Sequence, residues 1–306
     1  MMATQGTGQA DPYGTIATPA EPEWLSRRPA DARTGESRLR GYESKLVGLA
    51  AVVIFLAVWQ GIGVIRAVWP EGVVIGPFTY VAPTQLFLPA PVEIAQAFGT
   101  YARDPKFGRD ILTSGQELSF GYLLAAFTAI PLGLLMGWYS RVRYALDPFV
   151  TFLYATPRIV LLPLLIIWFG IGVESKVAVV FLGAFFAMVI NTTAGVRNLD
   201  ANLIKVARSF GASDIQLFRT VALPGSVPFI LTGLRLGIGH ALTGVVVGEA
   251  IAAQFGVGQM MFVAGATFQS SKVFAGLVLI AGAGMLMTFT LQWLERRFEA
   301  WRPRPN

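Results

Sequence analysis

The 306-residue sequence contains no cysteine and a single histidine, His240. The first absence excludes thiol catalysis, disulfides and cysteine-ligated metal centres. The second leaves no histidine cluster for a zinc or haem site. Charge is scarce as well: Asp, Glu, Lys and Arg make up 14% of the residues, against roughly 25% in a soluble domain. The chain also lacks a nucleotide-binding G-x4-G-K-[ST] loop, an H-E-x-x-H pair and a Ser/Lys pair at matching depth, which argues against an enzyme working inside the membrane. What fills the sequence instead is long uncharged runs: Leu118–Ser140, Val177–Val196, Ala250–Ser271 and Val273–Leu294. About 20 apolar residues, at 1.5 Å rise each, cross a hydrocarbon core of roughly 30 Å. The expected class is therefore an all-α polytopic membrane protein.

Residues 1–40 are rich in Gly, Pro, Thr and charge and carry no apolar periodicity, which predicts a disordered tail. No basic start leads directly into an apolar segment, so the tail does not read as a cleaved signal. The apolar segment Leu46–Ile65 follows Arg38, Arg40 and Lys45 and reads as a first span with a cytoplasmic N-terminus. About six spans are expected, at 46–68, 111–138, 147–170, 174–195, 227–253 and 273–294, in a membrane domain covering 41–298, with a short tail at 299–306. Pro148, Pro157 and Pro163 predict kinks or a broken entry in the third span. The Pro- and Gly-rich segment 69–110 is placed outside, with a short interfacial helix over Val92–Tyr101. In this topology sixteen of the 24 Lys and Arg residues fall on the cytoplasmic side and six outside. That bias fits the positive-inside rule with both termini cytoplasmic, and it accounts for the +6 net charge without a nucleic-acid partner.

One polar island interrupts the apolar pattern, Val206–Gly225 within a cytoplasmic loop at 197–226. Leu203, Ala207 and Phe210 recur at i, i+4 and i+7 on one helix face, while Lys205 and Arg208 occupy the other. Gly211 suits a left-handed break after that helix. Ser213 and Gln216 form an S-x-x-Q capping box for a second helix, Asp214–Val221, with Asp214 at its positive end and Pro224 as its stop. The element reads as two short rigid helices that expose Phe210, Ile215 and Phe218. An ordinary loop lying on lipid headgroups would share most of these features.

The spacing is more specific than that. Ala207, Gly211 four residues on, and Val221-Ala222-Leu223-Pro224 after nine intervening residues resemble the E-A-A-x3-G-x9-I-x-L-P loop of ATP-binding-cassette (ABC) importer permeases. Lys205 stands where that family has Glu, Val206 where it has the first Ala, and Val221 where it has Ile. The stretches FLPAPVEIAQAF, LDPFVTFLYATPRIVLLPLLIIWFGIG, SFGASDIQLFRTVALPGSVPFILTGLRLGIGHAL and VVVGEAI are similar to permeases of the nitrate, sulfonate and taurine branch. The resemblance implies a type I importer permease fold, with cytoplasmic coupling helices that dock on separate ABC ATPase subunits. Those partners, not this chain, would hold ATP and magnesium. It further implies a second permease copy, a periplasmic or lipid-anchored solute-binding protein, and a location in a bacterial or archaeal inner membrane. The solute would be a small anion such as nitrate, bicarbonate or a sulfonate. The docking set would be Lys205, Val206, Ala207, Arg208, Phe210, Gly211, Ser213, Asp214, Phe218, Val221, Leu223 and Pro224.

Five polar residues in or near spans are candidates for the pathway, since such groups are expensive in lipid and face protein or water. Glu249 either pairs with a neighbouring subunit or lines the pathway. Arg235 either braces helices near the cytoplasmic end or faces the solute. Arg158 follows Pro157 and either caps carbonyls at a kink or lines the pathway. His240 is either a packing residue or a pathway residue, and Asn191 is equally ambiguous. Arg158 is the deeper cation, about 18 Å below Gly170 if the intervening residues are helical. Gly133-x-x-x-Gly137 and Gly233-x-x-x-Gly237 allow close helix packing. A stand-alone secondary transporter would show more spans and clearer repeats, and a non-transporting scaffold would need no docking loop.

Overall fold

Prolines and glycines decide where the helices of this chain begin, bend and touch. The computed structural model describes residues 36–69, 73–75, 78–80 and 87–298. The first helix, α1, covers Glu36–Val68. A short antiparallel hairpin follows, with β1 (Val73–Ile75) paired to β2 (Phe78–Tyr80) in the register Val73 opposite Tyr80. Helix α2 (Pro91–Ala102) opens with proline at its first turn, where no N–H is needed, and Glu93 accepts from the Ala90 N–H at 2.7 Å. Then come α3 (Phe107–Trp138), α4 (Ser140–Ala155), α5 (Arg158–Phe169), α6 (Val173–Arg197) and α7 (Ala201–Ser209). The chain ends with α8 (Asp214–Leu217), α9 (Leu223–Ala252), α10 (Val257–Ala266) and α11 (Ser270–Phe298).

The chain divides into two compact units between Ala57 and Val58, inside α1. The described part of the first unit is helix alone, with Leu46, Val53 and Phe55 exposed. In the second unit, Trp59 packs against Phe274 of α11, and Arg66 binds Glu93 of α2 at 2.6 Å. Tyr101 of α2 stacks on Phe107; burial and neighbouring Asp110 push its phenol up to about 12.

Two expectations need correction. Helix begins at Glu36, so the last five residues of the expected disordered tail are helical; residues 1–35 and 299–306 lie outside the described residues. The all-α class holds, with the one small hairpin added to it. Pro224 does not stop the second island helix: α8 runs through a π-turn (Phe218–Ala222) straight into α9, and Asp214–Ala252 is one 39-residue apolar rod. A proline clashes with the carbonyl four residues back, and here the wider i→i+5 turn just before Pro224, closed by Leu223 N–H to Phe218 O, takes up that clash. The third span is broken, one of the two outcomes expected of its prolines, into two helices, α4 and α5, bent by 102°. Thr156 is extended, as a residue preceding proline prefers, and Pro157 caps α5, whereas Pro148 and Pro163 sit inside helices. Among the described residues, five helices are thus long and apolar enough to cross a membrane, or six if the bent pair is one span.

The core sits around α6, packed between α3 and α9. On the α3 side, Gly121 faces Val180, Gly133 faces Thr192, and Gly137 faces Val196. On the α9 side, Gly233 and Gly237 face Met188, and Gly244 faces the Val180 backbone. Both glycine pairs read from the sequence lie in these seams. In lipid there is little hydrophobic drive between helices, so close packing through small residues and interhelical hydrogen bonds must hold them. One such bond is Thr193 Oγ1 to the Gly133 carbonyl, at 3.2 Å; another is Tyr122 to the Leu234 carbonyl, at 2.9 Å.

A Cβ on Gly133 would stand 2.6 Å from Thr192 Cβ and 2.9 Å from the Val189 carbonyl oxygen. Gly133→Val is therefore expected to cost about 1–3 kcal/mol or more by overpacking, lowering the thermal midpoint of the purified protein. Gly115→Ala, in the same helix with nothing within 4 Å, serves as the neutral control.

Candidate functional site

Two places in the fold gather the residues singled out above. The first is the end of the bundle where α6 hands over to α7 and α8. Asp200 caps α7 by accepting from the Asn202 N–H at 2.8 Å. The helix closes at Gly211, whose φ of +79° lies in the left-handed region. There the Ala212 N–H reaches back to the Ala207 carbonyl, and the Gly211 N–H to that of Arg208. Ser213 and Gln216 then form the reciprocal capping box of α8, at 2.8 and 3.3 Å. Arg208 and Asp214 bridge the bend on the surface at 3.3 Å.

No residue of α7 is buried. Phe210 is 87% exposed and Ile215 67%, with Leu203 and Val206 exposed beside them. Lys205 is exposed, Ala207 and Val221 are half-buried, and Leu223 and Pro224 reach the surface. Phe218 corrects the sequence reading: it is half-buried, because its ring meets the edge of Trp138 at 5.5 Å. With Leu217 fully buried next to it, Phe218 anchors the element to α3 and does not belong to its outer face.

The second place is the break between α4 and α5. Arg158 is the first residue of α5, and its Nη1 lies 3.1 Å from His240 Nδ1 on α9. Both side chains line a cavity of about 290 Å³ with Tyr154, Thr156, Ile159 and Thr243. The other three pathway candidates lie elsewhere. Arg235 pairs with Glu295 of α11 at 2.8 Å and braces two helices. Asn191 donates to the Ala187 carbonyl of its own helix at 2.7 Å. Glu249 is fully buried inside its own chain, where it accepts from Ser114 Oγ and from the Gly258 N–H, each at 2.6 Å.

That buried site contains residues the sequence reading missed. Ser114 in turn accepts from the Val257 N–H, and Asp110 from the Gly256 N–H, so three side chains of α3 and α9 cap the start of α10. Acidic groups there meet the positive end of the helix. Glu117, 1% exposed, lies against Glu249, and its Oε2 has no hydrogen-bond partner among the described residues. Lys176, one of the six cations that the sequence places outside, is 4% exposed; it sits near both carboxyl groups and donates to the Gly172 carbonyl at 2.8 Å. Among the described residues no group of three or more His, Asp or Glu is arranged to hold a metal ion.

The family model for the binding-protein-dependent transport system inner membrane component matches residues 129–300. The chain belongs to that family. Similar proteins include a probable ABC transporter permease protein of Brucella abortus, 37% identical over 229 residues, which are 75% of this chain and 92% of that one. The taurine transport system permease protein TauC of Escherichia coli is 32% identical over 260 residues, 83% of this chain and 89% of its own. A Bacillus subtilis protein assigned as an aliphatic sulfonates transport permease, SsuC, is 35% identical over 255 residues. The fold is shared with a chain of the MetNI methionine ABC transporter in inward-facing conformations. The TM-score is 0.55 at 19% identity, covering 62% of this chain and 94% of that one.

The protein is thus a multi-pass inner-membrane permease subunit of an ABC importer, with the type I permease fold. Its family is one of non-catalytic subunits that act with ATPase and solute-binding partners. In this permease the matched region holds α6 to α9, the Gly211 bend and both halves of the Arg158–His240 cavity. Glu249 and the start of α10 also fall inside it, whereas their α3 partners Asp110 and Ser114 lie before it.

Removing the Glu249 carboxylate would strand the Ser114 hydroxyl and the Gly258 N–H in a buried site. Glu249→Ala is expected to cost about 1–3 kcal/mol for each donor left unpaired, read as a lower thermal midpoint and faster amide exchange over α10. Glu249→Gln, which keeps an acceptor oxygen, loses less.

Proposed function

We propose that two copies of this permease form a pathway for a small anion, of the kind carried by sulfonate and taurine permeases. Two ABC ATPases engage the paired 203–224 elements, and a solute-binding protein delivers the anion at the opposite end of the bundle. Both termini face the cytoplasm, following the bias of Lys and Arg. ATP and magnesium reside on the ATPases. The observation that carries the reading is the outer face of the Gly211 bend. Phe210 and Ile215 stand almost bare on a fixed backbone, directly joined to a 39-residue membrane-crossing rod. A contiguous apolar face on a rigid element marks an interaction surface. Lys205 reverses the charge the family pattern has at this face, so an electrostatic contact there would need an acidic residue on the ATPase.

Gly211→Val tests the coupling part. A β-branched residue in the left-handed region costs roughly 1–2 kcal/mol, enough to unseat the bend without disturbing the spans. The variant is expected to insert normally but to lose ATPase association, or to lose most transport-coupled hydrolysis in proteoliposomes. Normal assembly and normal transport would refute the role given to the bend. The purified chain alone is expected to hydrolyse no ATP, and robust hydrolysis by it would refute the assignment of that activity to a partner.

A further inference from the structure

Of the intramembrane cations in this permease, Arg158 is distinguished by what surrounds it. Arg235 is neutralised by Glu295, and Lys176 sits beside Glu117 and Glu249. Among the described residues no carboxylate stands within ion-pair distance of Arg158; its side-chain partner is His240. A guanidinium carries only donors, so in this contact His240 Nδ1 must be the acceptor. The imidazole proton is then on Nε2, and the pair offers further donors from both side chains. Unneutralised charge within a span is tolerated where it faces water or a ligand.

The surroundings complete a receptor. The cavity of about 290 Å³ is open on one side and is walled by Ile159, Val179 and Val247, with the hydroxyl-bearing Tyr154, Thr156 and Thr243 on its lining. It lies at the 102° break between α4 and α5, so the start of α5 brings its unpaired amides and the positive end of its dipole to the same spot. A broken helix pointing its N-terminus into a cavity within the membrane is how transporters present backbone donors to anionic groups.

We infer that Arg158 and His240 form the transient binding site for the solute's oxyanion group, and that the solute is a small organic anion with a short apolar portion. The inference rests on the anion-import reading proposed above and narrows it. Arg158 supplies charge and a planar fork of donors. His240 holds the fork in place through Nδ1 and adds its Nε2–H. The valine and isoleucine walls fit a hydrocarbon stub. A bare three-oxygen inorganic ion would leave these apolar walls without a contact. That argues for an aliphatic sulfonate or a similar organic oxyanion over nitrate. The lack of a resident carboxylate matters here, because an ion pair at this point would have to be broken at each passage.

The test uses the complete complex of permease, ATPases and binding protein in proteoliposomes, with radiolabelled ethanesulfonate, taurine and nitrate as probes. Uptake is normalised to assembled complex. Arg158→Gln is expected to lower sulfonate uptake by about tenfold or more, with Arg158→Lys falling between it and the wild type. His240→Leu should weaken sulfonate uptake, and His240→Asn, which keeps an acceptor near the Nδ1 position, should restore part of it. A second readout covers poor assembly of those variants. Because the chain has no cysteine, Thr243→Cys places one thiol on the cavity wall for a neutral methanethiosulfonate reagent. Ethanesulfonate should slow its modification, and should fail to do so when Arg158→Gln is added. A wild-type complex that moves sulfonates while Arg158→Gln and His240→Leu equal it, or protection that survives Arg158→Gln, overturns this site and leaves the import reading intact. A wild-type complex that moves nitrate but neither sulfonate overturns the organic-anion assignment. A complex that moves none of the probes overturns the anion reading, and this site with it.

Discussion

Everything else in this molecule depends on how closely α6 approaches α3 and α9. The seams are drawn in by glycines whose missing side chains leave room for Val180, Met188, Thr192 and Val196. Without that approach, Thr193 would not reach the Gly133 carbonyl, nor Tyr122 that of Leu234. The consequence reaches the cavity as well. Gly183 of α6 lies against the His240 carbonyl, where an added Cβ would stand 2.9 Å from the oxygen. That contact fixes the height of His240 beside α5, and hence its distance from Arg158.

The two ends of the bundle are built on different physics. At one end, α10 is held by buried polar groups: Asp110, Ser114 and Glu249 each accept from a backbone amide at its start. Gly256 has φ +128°, a conformation that strongly favours glycine, and its Cα faces the Glu249 carboxylate directly. At the other end, α7 and α8 are held by local caps, one bend and the buried Leu217, while Leu203, Val206, Phe210 and Ile215 stay exposed. The first arrangement resists movement within the subunit. The second is complete as a shape and incomplete as a surface.

Much of this was legible in the residues. Charge-free runs located the spans, and the glycine pairs at 133/137 and 233/237 pointed to faces that do touch. Gly211, Ser213 and Gln216 specified the bend through chemistry that acts over four residues. The unreadable parts depended on distant neighbours. Three prolines in one span look alike in sequence, but only Pro157 breaks it, because its neighbours turn extended there while Pro148 and Pro163 are absorbed in helices. Phe218 looked like part of an outer face until Trp138, 80 residues earlier in the chain, was seen to cover it. Lys176 and Glu117 sit near span ends, where a charge normally reads as a surface marker, and nothing local indicates that each is inside. Arg158 and His240 were each noted alone; their meeting across 82 residues is a property of the fold.

The uninterrupted rod from Asp214 to Ala252 has a mechanical meaning. Asp214 and His240 lie on one helix, 26 residues apart in sequence, a lever arm of roughly 40 Å at 1.5 Å per residue. A tilt imposed at the Gly211 bend is therefore delivered at the cavity as a sideways displacement of the imidazole, with no intervening loop to absorb it. The rod is softest near its Asp214 end, where the π-turn precedes Pro224 and Pro228 lies inside the helix. Beyond it the shaft is stiff, and the fulcrum is the glycine seam where α9 leans on α6.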